Sequence, residues 1–79
     1  MIARVVVMLK PGVLDPAGKA VQEGLQSLGY KEVQQVRLGK HIELSLETSD
    51  RAVARARLEE MCRKLLANTV VESYRVELE

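Results

Sequence analysis

Val36-Arg37-Leu38-Gly39-Lys40-His41-Ile42-Glu43-Leu44-Ser45-Leu46-Glu47 is the stretch that decides the fold of this 79-residue chain. Val36 and Leu38 alternate with polar residues. Gly39-Lys40 intervenes, and Ile42, Leu44 and Leu46 then alternate with His41, Glu43, Ser45 and Glu47. A period of two marks a strand with one buried face, and glycine at the first position of a two-residue loop permits the positive φ of a type II′ turn. The stretch is expected to form a β-hairpin.

Working toward the N-terminus, Gly29 reads as a helix C-terminal cap. Before it, Ala17, Ala20, Val21, Leu25 and Leu28 recur at helical spacing as one apolar stripe. Asp15-Pro16 starts that helix, a carboxylate capping the free amides and proline taking a position where its missing N–H costs nothing. Pro11-Gly12 is a turn. Ile2 to Leu9 is almost entirely apolar, as expected of a strand covered on both faces.

Toward the C-terminus, Thr48-Ser49-Asp50 offers caps for a second helix whose buried stripe is Ala54, Leu58, Met61, Cys62 and Leu65. Arg55, Glu59 and Arg63 lace its outer face. Asn68 ends it, and Val70, Tyr74, Val76 and Leu78 mark a last strand. The order strand, helix, strand, strand, helix, strand is the split βαβ arrangement. The expectation is an α+β, ferredoxin-like βαββαβ domain spanning residues 1–79, with a four-stranded antiparallel sheet in the order 4-1-3-2 and two helices on one face. The other sheet face would expose Ile2, Val6 and Met8, which makes them candidates for self-association. A domain this small buries only about 60 to 65% of its unfolded surface, so a homo-oligomer, a dimer or tetramer, is expected.

Composition excludes several classes. Hydrophobic residues at 47% and charged residues at 29% match an ordinary folded protein. The apolar run Val5–Leu9 is far below a membrane span of roughly 20 residues. The N-terminus lacks the pattern of a secretory signal, so the cytoplasm is the expected compartment. A net charge of +1 and an absence of Trp and Phe argue against nucleic acid. One cysteine and one histidine cannot build a structural zinc site.

Individual candidates for chemistry reduce to structural roles. Cys62 lies in the apolar helical stripe and reads as an inert core thiol. His41 faces outward at the start of a strand, and Met61 belongs to the core stripe. Glu59 and Glu60 are adjacent on a helix and point apart, so they do not form an acid–base pair. Gly12 and Gly39-Lys40 lack the spacing of a nucleotide-binding loop. No catalytic residue and no metal ligand is assigned. Topology nevertheless gathers Lys10, Pro11, Gly12, Arg37, Gly39, Lys40, His41 and Asn68 at one end of the sheet, a mildly basic rim suited to docking a partner. Residues 1–40 carry six basic and three acidic groups, residues 41–79 six and eight, so the basic bias lies in the half that supplies most of this rim.

The run Leu9-Lys10-Pro11-Gly12-Val13-Leu14-Asp15-Pro16-Ala17-Gly18-Lys19-Ala20 resembles the signature of the PurS family, a subunit of phosphoribosylformylglycinamidine (FGAM) synthase. Leu28-Gly29-Tyr30, Val36-Arg37-Leu38-Gly39-Lys40, Met61 to Asn68 and Val70-Val71-Glu72 agree in order and spacing. Thr69 and Ser73 depart from the family pattern, where proline and an acidic residue are common. The resemblance implies a small, non-catalytic subunit that joins a synthetase subunit and a glutaminase subunit and assists ammonia transfer. The complex would convert formylglycinamide ribonucleotide, glutamine and ATP to FGAM, glutamate, ADP and phosphate. ATP and magnesium would be held by the synthetase subunit, with no cofactor in this chain. The alternative is a stand-alone, ACT-like regulatory module binding a small ligand beside the Pro11-Gly12 turn.

Overall fold

A computed structural model describes all residues 1–79. The elements are β1 (Ile2–Leu9), α1 (Pro16–Ser27), β2 (Gly39–Ser45), α2 (Arg51–Met61), a π-helical turn (Cys62–Leu66) and β3 (Glu72–Leu78). β1 pairs antiparallel with both neighbours, giving a three-stranded sheet in the order β2-β1-β3. Alternation along β1 sends Ala3, Val5 and Val7 into the core, where Leu58, Cys62 and Ala67 cover them. The opposite face carries Ile2, Val6 and Met8, each half-buried where exposure is expected, with Arg4 standing among them.

The expected four-stranded sheet in the order 4-1-3-2 is not formed. The structure keeps the core of that order and lacks its second strand, because the chain does not reverse at Gly39-Lys40. Only Gly12 and Gly29 have positive φ, so Gly39 makes no type II′ turn. It is the first residue of β2, paired with Met8. Its lack of a side chain serves close approach, since a Cβ there would run into the Val7 carbonyl oxygen and the Met8 sulfur. Residues 33–38, which carry Val36 and Leu38, form no strand and are tied to α1 and its cap by side chains. Gln26 Nε2 donates to the Val33 carbonyl at 2.7 Å, and the Leu38 amide donates to Asp15 Oδ2 at 3.1 Å.

Helix boundaries follow local chemistry. Asp15 caps α1 by accepting from the Gly18 amide at 2.9 Å, with Pro16 in the first turn. Gly29, at φ 105°, closes it in a Schellman motif in which the Tyr30 amide donates to the Leu25 carbonyl. Asp50 caps α2 by accepting from the Ala52 and Val53 amides. The π turn, closed by the Ala67 amide on the Cys62 carbonyl, corrects the expected stripe of α2. Its extra residue per turn advances the phase, so Leu66 and Ala67 turn inward and Leu65 is left 84% exposed. The last strand also starts later than expected, with Val70 exposed ahead of it.

α1 does not lie over the sheet as the second helix of a layer. With residues 33–38 it forms an arm projecting from the strand ends, and the molecule measures 48 × 25 × 14 Å. The radius of gyration is 15.9 Å, against about 12 Å for a compact chain of this length. The expected α1 stripe is therefore largely uncovered: Ala17, Ala20, Val21 and Leu28 are exposed and only Leu25 is half-buried. Eight of 79 residues are buried in all, a thin core for an isolated domain.

Candidate docking site at one end of the sheet

The end of β1, the start of β2 and the loop before β3 meet at one end of the sheet, as the topology requires of antiparallel neighbours. Lys10, Gly39, Lys40 and Asn68 therefore come together there, with Arg37 reaching in from the arm. Each cation already has an internal partner. Lys10 Nζ donates to the Thr69 carbonyl at 2.7 Å, which ties the exit of β1 to the loop preceding β3. Lys40 Nζ lies 3.8 Å from Glu72 Oε2 and is 57% exposed, so a partner carboxylate can reach it. His41 is exposed beside it on β2.

Arg37 is the structural member of the group. Its Nη2 donates to the carbonyls of Leu9 (3.0 Å) and Lys10 (3.1 Å), and its Nε lies 3.8 Å from Asp15 Oδ2. One guanidinium thus fastens the chain leaving the sheet to the chain returning to it. Asp15 is the matching anion, and sequence reasoning gave it only a capping role. Hydrogen bonds from the Gly18 and Leu38 amides, with Arg37 nearby, hold its carboxyl below the usual value of 3.8. The Asp-Pro pair signals the cap, but nothing local signals that its second oxygen reaches Leu38, 23 residues away.

Pro11 and Gly12 form an exposed turn, with Gly12 at φ 86°. Asn68 organises the loop before β3: its side-chain oxygen accepts from the Val70 amide, its carbonyl accepts from Val71 and Glu72, and its amide donates to Glu72 Oε1 at 2.7 Å. Glu72, which sequence reasoning passed over, therefore serves both Asn68 and Lys40. An open hollow of about 450 Å³ lies beside the rim, with Val13, Leu14 and Val36 among its lining together with Lys19, Gln22 and Gln35.

Elsewhere the titratable groups are structural. Burial, reinforced by Glu59, pushes the Cys62 thiol up, which disfavours the nucleophilic thiolate. Tyr74 donates its hydroxyl to Glu59 Oε2 at 2.6 Å, which raises its own pKa and fastens β3 to α2. Nowhere do three His, Cys, Asp or Glu side chains converge as metal ligands, and no helix is long and apolar enough to cross a membrane.

Comparison with known proteins gives this geometry its context. The family model described as PurS, phosphoribosylformylglycinamidine (FGAM) synthase, matches residues 2–79. The PurS subunit of Synechocystis is 60% identical over 75 residues, covering 95% of this chain and 75% of that one. The PurS subunit of Bacillus subtilis is 57% identical over 76 residues, covering 96% and 89%. A crystal structure of B. subtilis PurS superposes with a TM-score of 0.87 at 55% identity, covering 99% of this chain and 96% of that chain. A chain of the PurLQS structure from Thermotoga maritima superposes with a TM-score of 0.84 at 30% identity, covering 98% and 96%. Matched along its whole length in sequence and in fold, the chain belongs to the PurS family, a subunit of FGAM synthase in purine biosynthesis.

Proposed function

We propose that this chain is the organising, non-catalytic subunit of a cytoplasmic FGAM synthase, holding a glutaminase subunit and a synthetase subunit in register. The observation that carries the reading is its close superposition on a chain of the T. maritima PurLQS structure. The buried, protonated Cys62 and the internally paired rim residues support it, since they suit a scaffold better than a catalytic centre.

The chemistry asks for such a scaffold. Hydrolysis of the glutamine side-chain amide releases glutamate and ammonia. The synthetase, holding ATP and magnesium, activates the amide oxygen of formylglycinamide ribonucleotide, and attack by ammonia yields FGAM, ADP and phosphate. Free ammonia is protonated and diluted in water, so fixing the two sites in one assembly raises its effective concentration at the acceptor. Lys40, paired with Glu72 yet 57% exposed, and His41, also exposed, are the rim residues offered for docking, and the chain acts as a homo-oligomer that presents one such rim per copy.

Reconstitution tests this role. The purified chain alone should neither hydrolyse ATP nor release ammonia from glutamine. Added to the other two subunits, it should restore glutamine-dependent synthesis while leaving ammonia-dependent synthesis by the synthetase unchanged. Equal stimulation of both activities would reject a coupling role. For docking, Lys40→Glu with His41→Glu should lower the affinity for the other subunits, seen by gel filtration with glutamine and ADP present.

A further inference from the structure

One side chain joins the arm, residues 11–38, to the rest of the molecule. The hydrophobic core and the side chains packed on it all lie outside the arm. Two chain crossings connect arm and sheet, one at the Pro11-Gly12 turn and one at Arg37-Leu38. Across this base the only side-chain hydrogen bonds are those from Arg37 Nη2 to the carbonyls of Leu9 and Lys10. No ion pair crosses it, and the one backbone bond belongs to the turn itself, from the Val13 amide to the Lys10 carbonyl. Inside the arm the ties are many. Gln26 holds the Val33 carbonyl, the Tyr30 amide holds Leu25, Asp15 holds the Leu38 amide, and the Val36 carbonyl lies where a Cβ on Gly18 would stand. The arm is stiff and its attachment slender. Gly12, at φ 86° with open space around it, gives the turn room to move.

Arg37 has a second set of acceptors within reach. Its Nε is buried without a hydrogen-bond partner, and Asp15 Oδ2 at 3.8 Å stands beyond the roughly 3.2 Å limit of an N–H···O bond. A buried N–H left over in a native fold calls for a physical reason. Asp15 accepts from the Gly18 and Leu38 amides and still has lone pairs to spare. Turning the guanidinium toward Asp15 satisfies Nε and gives up the Leu9 and Lys10 carbonyls. Both arrangements are charge-assisted, so the exchange is close to balanced. We propose that the arm is a hinged lever and Arg37 its latch. Seated on the sheet carbonyls, Arg37 fixes the angle of the arm; seated on Asp15, within the arm, it lets the arm swing about the two crossings. The arm carries the exposed stripe of α1 and the sheet end carries Lys40 and His41, so this one side chain sets how the two surfaces stand to each other.

Pulsed electron spin resonance on the full chain tests the latch. Nitroxide labels are placed at Glu23→Cys on the arm and Arg55→Cys on α2, both exposed positions. The labelled chain is diluted into excess unlabelled wild type so that only distances within one chain are read, and wild-type protein controls for labelling of the buried Cys62. The labelled parent should give one narrow distance, Arg37→Gln a distribution several times broader, and Arg37→Lys, whose single ammonium replaces the fork, an intermediate width. Asp15→Asn keeps a cap for α1 and removes the anion from the second seat, so its distance should be no broader than the parent's. Amide exchange at Tyr30, bonded within the arm, should stay as slow in Arg37→Gln as in the parent, since the arm moves as a body. An unchanged width in Arg37→Gln, or a parent as broad as that variant, would overturn the latch. Broadening in Asp15→Asn equal to that of Arg37→Gln would make Asp15 a brace and overturn the second seat, and fast exchange at Tyr30 would mean that the arm melts instead of swinging. If circular dichroism shows Arg37→Gln unfolded, Arg37→Lys decides, and a width equal to the parent's overturns the latch.

Discussion

Asp15 ties three parts of the chain together through one carboxylate. One oxygen caps α1 and the other holds the Leu38 amide, while Arg37 stands alongside. Its carboxyl is depressed below 3.8, first by the Gly18 amide, then by Leu38 and Arg37. A carboxylate with a lowered folded-state pKa contributes stability that is present above its unfolded value and lost as pH falls through the folded one. Wild-type stability should therefore decline below about pH 4, and Asp15→Asn should flatten the Asp15 share of that decline in urea titrations at several pH values. Asp15→Ala at neutral pH should cost about 1–2 kcal/mol, the loss of a helix cap with further bonds. The thiol of Cys62 gives the opposite sign: burial raises it, so it should react with a disulfide reagent only as fast as the protein opens.

Elements show which signals can be read locally. Asp15-Pro16, Gly29 and Asp50 bound helices as expected, because caps are made within a few residues of where they are written. Gly39 misleads because glycine serves both turns and close approaches, and the choice depends on Met8 and Val7 across the sheet. Leu65 misleads because one extra residue in a π turn shifts the phase without leaving a pattern. At the candidate docking end, the convergence of Lys10, Lys40 and Asn68 follows from strand order, whereas the pairing of Arg37 with the Leu9 and Lys10 carbonyls depends on the arm and is invisible in periodicity. Two substitutions separate these cases. Leu58→Ala removes a fully buried side chain and should cost about 2–5 kcal/mol by chemical denaturation. Gly39→Ala should also destabilise, by about 1–3 kcal/mol, because backbone oxygen cannot yield to a new methyl as a flexible side chain does.

For the whole molecule, an extended outline and a thin core leave room for the proposed association to add stability. Two faces lack partners: the exposed apolar stripe of α1, and, on the open side of the sheet, Ile2, Val6 and Met8. On that open side Val6 is paired across the strands with His41 and Arg75, and Arg4 sits 3.4 Å from Glu43 and 3.1 Å from Glu79. The apolar strip is therefore narrow and framed by charges of both signs, the composition of a modest interface that sets orientation as well as affinity. A chain that associates through this face should run above its 8.8 kDa mass at high concentration. Val6→Lys places an unpaired cation in that contact, whose burial is costly, and should shift the distribution toward smaller species with a lower thermal midpoint. Leu65→Lys, at an exposed position away from the open face, should leave the distribution as in the wild type. Sedimentation velocity and thermal unfolding of the two variants read the difference, and an unchanged mass for Val6→Lys would rule the open face out as the contact.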